Sequence, residues 1–224
     1  VVRGQDFAPY HYVDKAGRET GFVIDTIQET ARRTGIRIRF KQYPWSRCLQ
    51  MVKSGKADAM MNLFKTAERQ TFMHFAENII AYETNQFFVL KPPVITYDGS
   101  FQSIKSHRVG TIRNYIYGEP FDSFAFSHIF RLETELELIN ALINNRCDII
   151  IGNKLAIRSL VKQMGLTGQI TTLSPDVSFE PLYIGFSKAN NHEELANRFS
   201  EQLRRFKQTA IYRTILKNYP ACTP

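Results

Sequence analysis

The sequence has no apolar stretch approaching the roughly 20 residues that a bilayer-spanning helix requires, so it is read as a globular chain and not as an integral helical membrane protein. Cysteine is scarce. Cys48, Cys147 and Cys222 show no CxxC spacing and cannot all pair with one another; a Cys48–Cys222 bridge is conceivable in an oxidising compartment. The five histidines are dispersed, with no HExxH and no Cys/His cluster, so neither a metal nor any other cofactor is expected. Acidic residues are outnumbered, 21 against 29 Lys and Arg, giving a formal charge of +8. Basic chains point to nucleic acid, anionic membranes or acidic small ligands. Here the cations are scattered, without a run of five or a nucleic-acid motif, and no nucleic-acid partner is expected. What is present is an ordinary globular composition, 43% hydrophobic and 22% charged, over 224 residues, enough for one large domain or two small ones. The chain opens "VVRGQDFAPY", strand-like rather than signal-like, and any targeting segment is expected to have been removed.

Along the chain the hydrophobic period switches repeatedly between two and 3.6 residues. "FVIDTIQETARRTG" (22–35) puts Val23, Ile27, Thr30 and Ala31 at helical spacing and stops at Gly35. "IRIRFKQY" (36–43) alternates as a half-buried strand should. "WSRCLQMVKSG" (45–55) reads as a short helix and "ADAMMNLF" (57–64) as a buried strand. Strand–helix–strand–helix order implies a mostly parallel sheet covered by helices, an α/β architecture. The plan recurs ninety residues on. "TELELINALINNR" (134–146) opens with a Thr134-x-x-Glu137 capping box and leads into "CDIIIGN" (147–153), which parallels "KADAMMN" (56–62).

Two α/β lobes around a crevice are therefore expected. "YETNQFFVLKPP" (82–93) and "EPLYIGFSKANN" (180–191) read as the crossings between them. The lobes are placed at 1–88 with 187–224, and at 89–186; two extended crossings make a hinge on which such lobes can close about a ligand.

"FAPYHYVDKAGRETGFVIDTIQETARRTG", "KSGKADAMMN" and "TAERQTFMHFAE", followed by "RVGTIRNYIYG", "NNRCDIIIGN", "EPLYIGFSKANN" and "IYRTILKNYP", resemble in order and over essentially the whole chain the bacterial solute-binding proteins of family 3, which serve polar amino acid ABC transporters. The resemblance implies the two-lobed type II periplasmic-binding-protein fold. It also implies a periplasmic or lipid-anchored receptor, expected as a monomer, that binds a small anionic or zwitterionic solute and delivers it to an ABC permease in the inner membrane.

In parallel sheets ligands sit beyond the carboxyl ends of the strands. That rule nominates Phe7–Tyr10, Tyr43–Arg47, Asn62–Arg69, Ile112–Tyr115 and Asn153. Arg69 follows Thr66, an N-cap candidate, and so lies in a first helical turn, where a cation is disfavoured by the helix dipole. The resemblance gives it the task of clamping the ligand's carboxylate, which a guanidinium fork suits. By the same resemblance Trp45 and Phe7 stack on the ligand, with Tyr10 read as packing. Asn62 and Asn114 are neutral hydrogen-bonding candidates, and Phe64 is placed with them. Arg47 and Arg113, if turned inward with Arg69, would demand a ligand carrying more than one negative group.

The chain departs from the family pattern at three places. Asn114-Tyr115 stands where Gly-Ser/Thr is usual, so that the Tyr115 ring is expected to cover loop amides. Asn153 replaces the Asp that commonly holds an α-ammonium, and "MNLFKTAER" is one residue short; together these count against an ordinary α-amino acid and leave a carboxylate, an oligo-anion or a modified amino acid open. The same module could alternatively serve as the sensor of a membrane signalling receptor, although an end in "PACTP" just after the final helix favours a free-standing protein. A third reading is a cyclohexadienyl-dehydratase-like enzyme, for which Glu180, His11 and Glu83 are the general-acid candidates. No enzymatic activity is expected.

Overall fold

The computed structural model describes residues 1–219, and the chain divides into two compact units, Val1–Tyr82 with Pro181–Pro224, and Glu83–Glu180. The expected boundaries, 88/89 and 186/187, lie six residues further along both crossings. Both changeovers fall inside long strands, Ala81–Leu90 and Ser178–Ser187, where an uninterrupted β pattern carries no mark of the residue at which the chain changes unit.

In the first unit, Val2–Arg3 lies between Lys41–Gln42 and Ala59–Leu63 and runs parallel to both. The strand Ser178–Ser187 pairs antiparallel with Ala59–Leu63, and Met73–Phe75 adds to it. Ala59–Leu63 is buried at every residue, Asn62 included, as a central strand of the sheet with neighbours on both sides. The strand expected over 36–43 forms a ladder only at Lys41–Gln42. Ile36, Ile38 and Phe40 do alternate with exposed Arg37, Arg39 and Lys41, but this edge segment has only the two-residue Val2–Arg3 strand to pair with. Alternation reports half-burial; it does not by itself supply hydrogen-bonding partners.

The helix Phe22–Thr34 ends as expected on Gly35, whose φ of 77° is the left-handed conformation that lets its N–H return to the Ala31 and Arg32 carbonyls. Its buried Thr26, Thr30 and Thr34 satisfy their hydroxyls on the carbonyl one turn earlier, at 2.7–2.8 Å. The helices Glu193–Phe206 and Ala210–Asn218 close this layer through Phe22–Tyr212 and Phe206–Tyr212 ring contacts, with centroids 6.3 and 5.3 Å apart.

In the second unit, Arg108–Ile112 runs parallel to Ile149–Asn153 on one side and to His128–Leu132 on the other. Ala81–Leu90 pairs antiparallel with Ile149–Asn153 and with Ile170–Thr172. One face packs on the helices Glu135–Ile143 and Lys154–Gln163 through Leu138, Leu142, Ile150 and Ile157. The other packs on an aromatic cluster of Phe87, Tyr97, Phe101 and Phe121, with Phe87 and Tyr97 edge to face at 5.0 Å. The Thr134 cap is formed, its hydroxyl accepting from the Glu137 N–H at 3.1 Å.

Candidate functional site

The parallel register of the first unit brings the carboxyl ends of Val2–Arg3, Lys41–Gln42 and Ala59–Leu63 to one edge of the sheet. The three following segments carry Phe7, Trp45 and Arg69. Trp45 opens the helix Trp45–Lys53 directly after Pro44, and that helix is tied back to the first strand by Cys48, whose thiol donates to the Arg3 carbonyl at 3.1 Å. Burial pushes the Cys48 thiol up to about 11, so it is not a reactive thiolate at neutral pH. Cys222, its conceivable partner, lies outside the described residues.

Arg69 is 4% exposed. Thr66 caps the four-residue helix Ala67–Gln70 by accepting the Arg69 N–H at 3.2 Å, which fixes the backbone from which the side chain departs. One guanidinium nitrogen, Nη1, donates to the Phe64 carbonyl at 3.0 Å, and the guanidinium carbon sits 5.5 Å from the centre of the Trp45 ring. Phe64 thus contributes a carbonyl as well as a buried ring. Glu77 pairs with Lys65 at 2.7 Å.

Asn62 is the extra residue of a bulge: Tyr183 and Ile184 on the neighbouring strand oppose Leu63 and Met61, and Asn62 between them has φ 62°. Its side chain is buried and its carboxamide oxygen has no hydrogen-bond partner. Phe7 is buried against Tyr10 and His11, at centroid distances of 5.4 and 5.6 Å, and Tyr10 packs as expected while donating its hydroxyl to the Tyr82 carbonyl at 2.8 Å. His11 is buried, and burial, with the nearby Arg3 cation adding to it, lowers its pKa to about 3. Its Nε2 lies 3.1 Å from the Gln5 carbonyl, so that nitrogen carries the proton and Nδ1 is a bare acceptor without a partner. A ring held neutral in this way is no general acid at neutral pH.

Arg47 and Arg113 each have a partner at the surface. Arg47 is exposed and lies over the Tyr43 ring at 4.7 Å. Arg113 is exposed and ion-paired with Glu133 at 2.6 Å, its backbone N–H donating to the Leu132 carbonyl. In each case a neighbouring ring or carboxylate at the surface offers the cation a partner without desolvation.

Asn114 has φ 58° and is exposed, in the left-handed region that Asn tolerates. With Tyr115 it lines a cavity of about 290 Å³ in the second unit, together with Tyr117, Phe121 and Arg131. The hydroxyl of Tyr117 accepts the N–H of Ile112, at the end of the strand Arg108–Ile112, at 2.8 Å. Tyr115 places its hydroxyl 3.4 and 3.5 Å from the two oxygens of Glu83, a fully buried carboxylate. Asn153 caps the helix Lys154–Gln163, its Oδ1 accepting from the Leu155 and Ala156 N–H groups at 2.9 and 3.0 Å. Glu180 has its pKa raised by burial and by the Asp122 carboxylate.

Sequence reasoning missed two elements of this chemistry. Arg3 is fully buried and held by Glu19 and Asp6 at 2.9 and 3.0 Å; an Arg in a two-residue strand gives no periodic signal. Tyr117 is buried, and the Gly118 that follows it, at φ 97°, marks the turn that buries its ring.

Among the described residues no helix is long and apolar enough to cross a membrane. Residues 1–221 match the family of bacterial extracellular solute-binding proteins, family 3. A probable histidine-binding protein of Neisseria gonorrhoeae is 23% identical over 228 residues, covering 98% of this chain and 81% of the relative. Among solved structures, a histidine kinase sensor domain with similarity to periplasmic binding proteins superposes with a TM-score of 0.85 at 18% identity, covering 98% of this chain and 95% of that one. An ancestral arginine-binding protein bound to arginine gives 0.82 at 21% identity, over 97% and 96%. These likenesses show the fold, and the family match over nearly the whole chain shows the membership: this protein is a bacterial extracellular solute-binding protein of family 3.

Proposed function

We propose that the protein is the periplasmic receptor of an amino-acid ABC importer, delivering a small carboxylate-bearing solute to an inner-membrane permease, with Arg69 as the carboxylate clamp. The observation that carries the reading is the buried Arg69 guanidinium, held by the Phe64 carbonyl and the Trp45 ring at the carboxyl edge of a parallel sheet. A planar fork fixed in this way donates two parallel hydrogen bonds to a carboxylate, and low local dielectric strengthens the pair. Trp45 supplies an adjacent apolar wall, and the bare carboxamide oxygen of Asn62 suits an N–H of the solute.

The relatives named for histidine and arginine binding support an amino acid as the class of solute. With Arg47 and Arg113 engaged at the surface, one buried guanidinium calls for one carboxylate. The fold shared with a histidine kinase sensor domain supports a second use, as a sensor that reads the same solute without transporting it.

Titration calorimetry with an amino-acid panel tests the clamp. Arg69→Ala is expected to weaken the best-bound amino acid about 100-fold or more. Its unliganded stability should fall by only about 1–2 kcal/mol, for a lost hydrogen bond and ring contact. Native affinity in the folded variant would exclude Arg69 from the site. Uptake of labelled solute that is unaltered when the gene is deleted would favour the sensor over the importer.

A further inference from the structure

A second cavity lies in the unit Glu83–Glu180 and is not part of the site described above. It encloses about 350 Å³, at the small end of the range for small-molecule sites. Phe88, Val161 and Ile170, all buried, line it together with three cations, Lys91, Arg158 and Lys162. Lys91 ends its reach on the Thr167 carbonyl at 3.1 Å, and an Arg158 Nη2 lies 3.4 Å from the Thr172 hydroxyl. No Asp or Glu lines the cavity, and among the described residues none of the three cations has a carboxylate within ion-pair distance.

This arrangement runs against the ordinary economy of a surface. Arg158 and Lys162 stand at i and i+4 on the helix Lys154–Gln163, a spacing at which like charges repel, and Lys91 adds a third. On other helices a cation can find its acid one turn away, as Arg32 finds Glu29 and Arg204 finds Glu201; these three do not. Uncompensated cations around an apolar patch match a ligand that brings both halves of the complement. We propose that this cavity binds a small amphipathic organic anion, with its apolar body on Phe88, Val161 and Ile170 and its carboxylate or phosphate among Lys91, Arg158 and Lys162.

The cavity is separate from the solute-binding residues. Asn153 opens the same helix, and Arg158 and Lys162 follow five and nine residues later, about 7 and 13 Å along its axis. Arg69 belongs to the other unit and does not line this cavity.

Calorimetric titration of the full chain with octanoate, octylamine and inorganic phosphate tests the proposal. Octanoate is expected to bind saturably, with octylamine and inorganic phosphate each at least tenfold weaker, since one carries the opposite charge and the other lacks the apolar body. The double variant Arg158→Ala/Lys162→Ala, whose side chains are exposed, should lose octanoate binding at least tenfold while keeping its affinity for the amino acid. Arg69→Ala should do the reverse. Absence of octanoate binding, or octanoate binding unchanged in the double variant, would overturn the proposal, as would octylamine binding equally well. Loss of octanoate binding in Arg69→Ala alone would assign the heat to the amino-acid site and overturn it too.

Discussion

His11 shows how a single buried group sets a property of the whole chain. Its folded pKa, about 3, lies below the ordinary value of 6.5. Between those values the unfolded chain binds a proton that the folded chain does not, so stability falls as pH drops from about 6.5 towards 3 and levels off below. The ring is fully buried, so the loss across that window is on the order of a few kcal/mol. Urea unfolding at pH 7 and pH 4.5 should therefore give a lower midpoint at the acid pH. In His11→Phe the difference should shrink, even though the Gln5 carbonyl loses its donor and the variant is weaker at both pH values. Following the His11 ring by NMR checks the premise directly: titration near 6.5 in the folded protein would remove it.

At the scale of elements, the bulge in Ala59–Leu63 and the start of Lys154–Gln163 separate stability from binding. Asn62 combines a left-handed backbone with a buried oxygen that lacks a partner, two features that weaken a strand and persist where a site requires them. Asn62→Gly relieves both and is expected to hold or raise the unliganded melting temperature by about 1 kcal/mol equivalent, while weakening solute binding. A lowered melting temperature with unchanged affinity would make Asn62 a packing residue.

Asn153 behaves differently, because its oxygen caps a helix. Asn153→Ala should cost about 1 kcal/mol in denaturant unfolding, whereas Asn153→Asp keeps the cap and adds a favourable charge at the helix N-terminus. Any change in the rank order of bound amino acids in Asn153→Asp is then a binding effect and not a folding one. An equal loss of stability in both variants would show that the cap does not carry the helix.

These elements also show what the sequence made legible. The helices over 22–34, 45–53 and 135–143 and the strands at 59–63 and 149–153 were readable because apolar periodicity and caps are local signals. The Thr66 cap placed Arg69 for the same reason. The contacts of Arg47 with Tyr43 and of Arg113 with Glu133 were not readable, the second because its partner lies twenty residues away. The Tyr117 contact with the Ile112 amide, and the bulge at Asn62, depend likewise on tertiary placement that no periodicity records.

At the scale of the whole molecule the question is which solute the chain selects. A formal charge of +8 favours encounter with any anion, so charge alone ranks a dicarboxylate above a zwitterion. The distribution of that charge reverses the order. Of the three arginines nominated from sequence only Arg69 is buried; Arg47 and Arg113 remain in high dielectric, where an ion pair contributes little. A second carboxylate on the solute would be desolvated beside Arg69 without a second buried cation from this set to meet it. A thermal-shift panel of histidine, arginine, glutamine, succinate and citrate is therefore expected to rank the amino acids first. Bound ligand stabilises by RT ln(1 + [L]/Kd), about 4 kcal/mol at a thousandfold excess over Kd, which for a chain of this length is a shift of roughly 8–16 °C. The shift should disappear in Arg69→Ala and survive in Arg113→Ala, whose side chain serves Glu133. Citrate or succinate giving the largest shift, and losing it in Arg113→Ala, would place that arginine in the site and overturn the single-carboxylate reading.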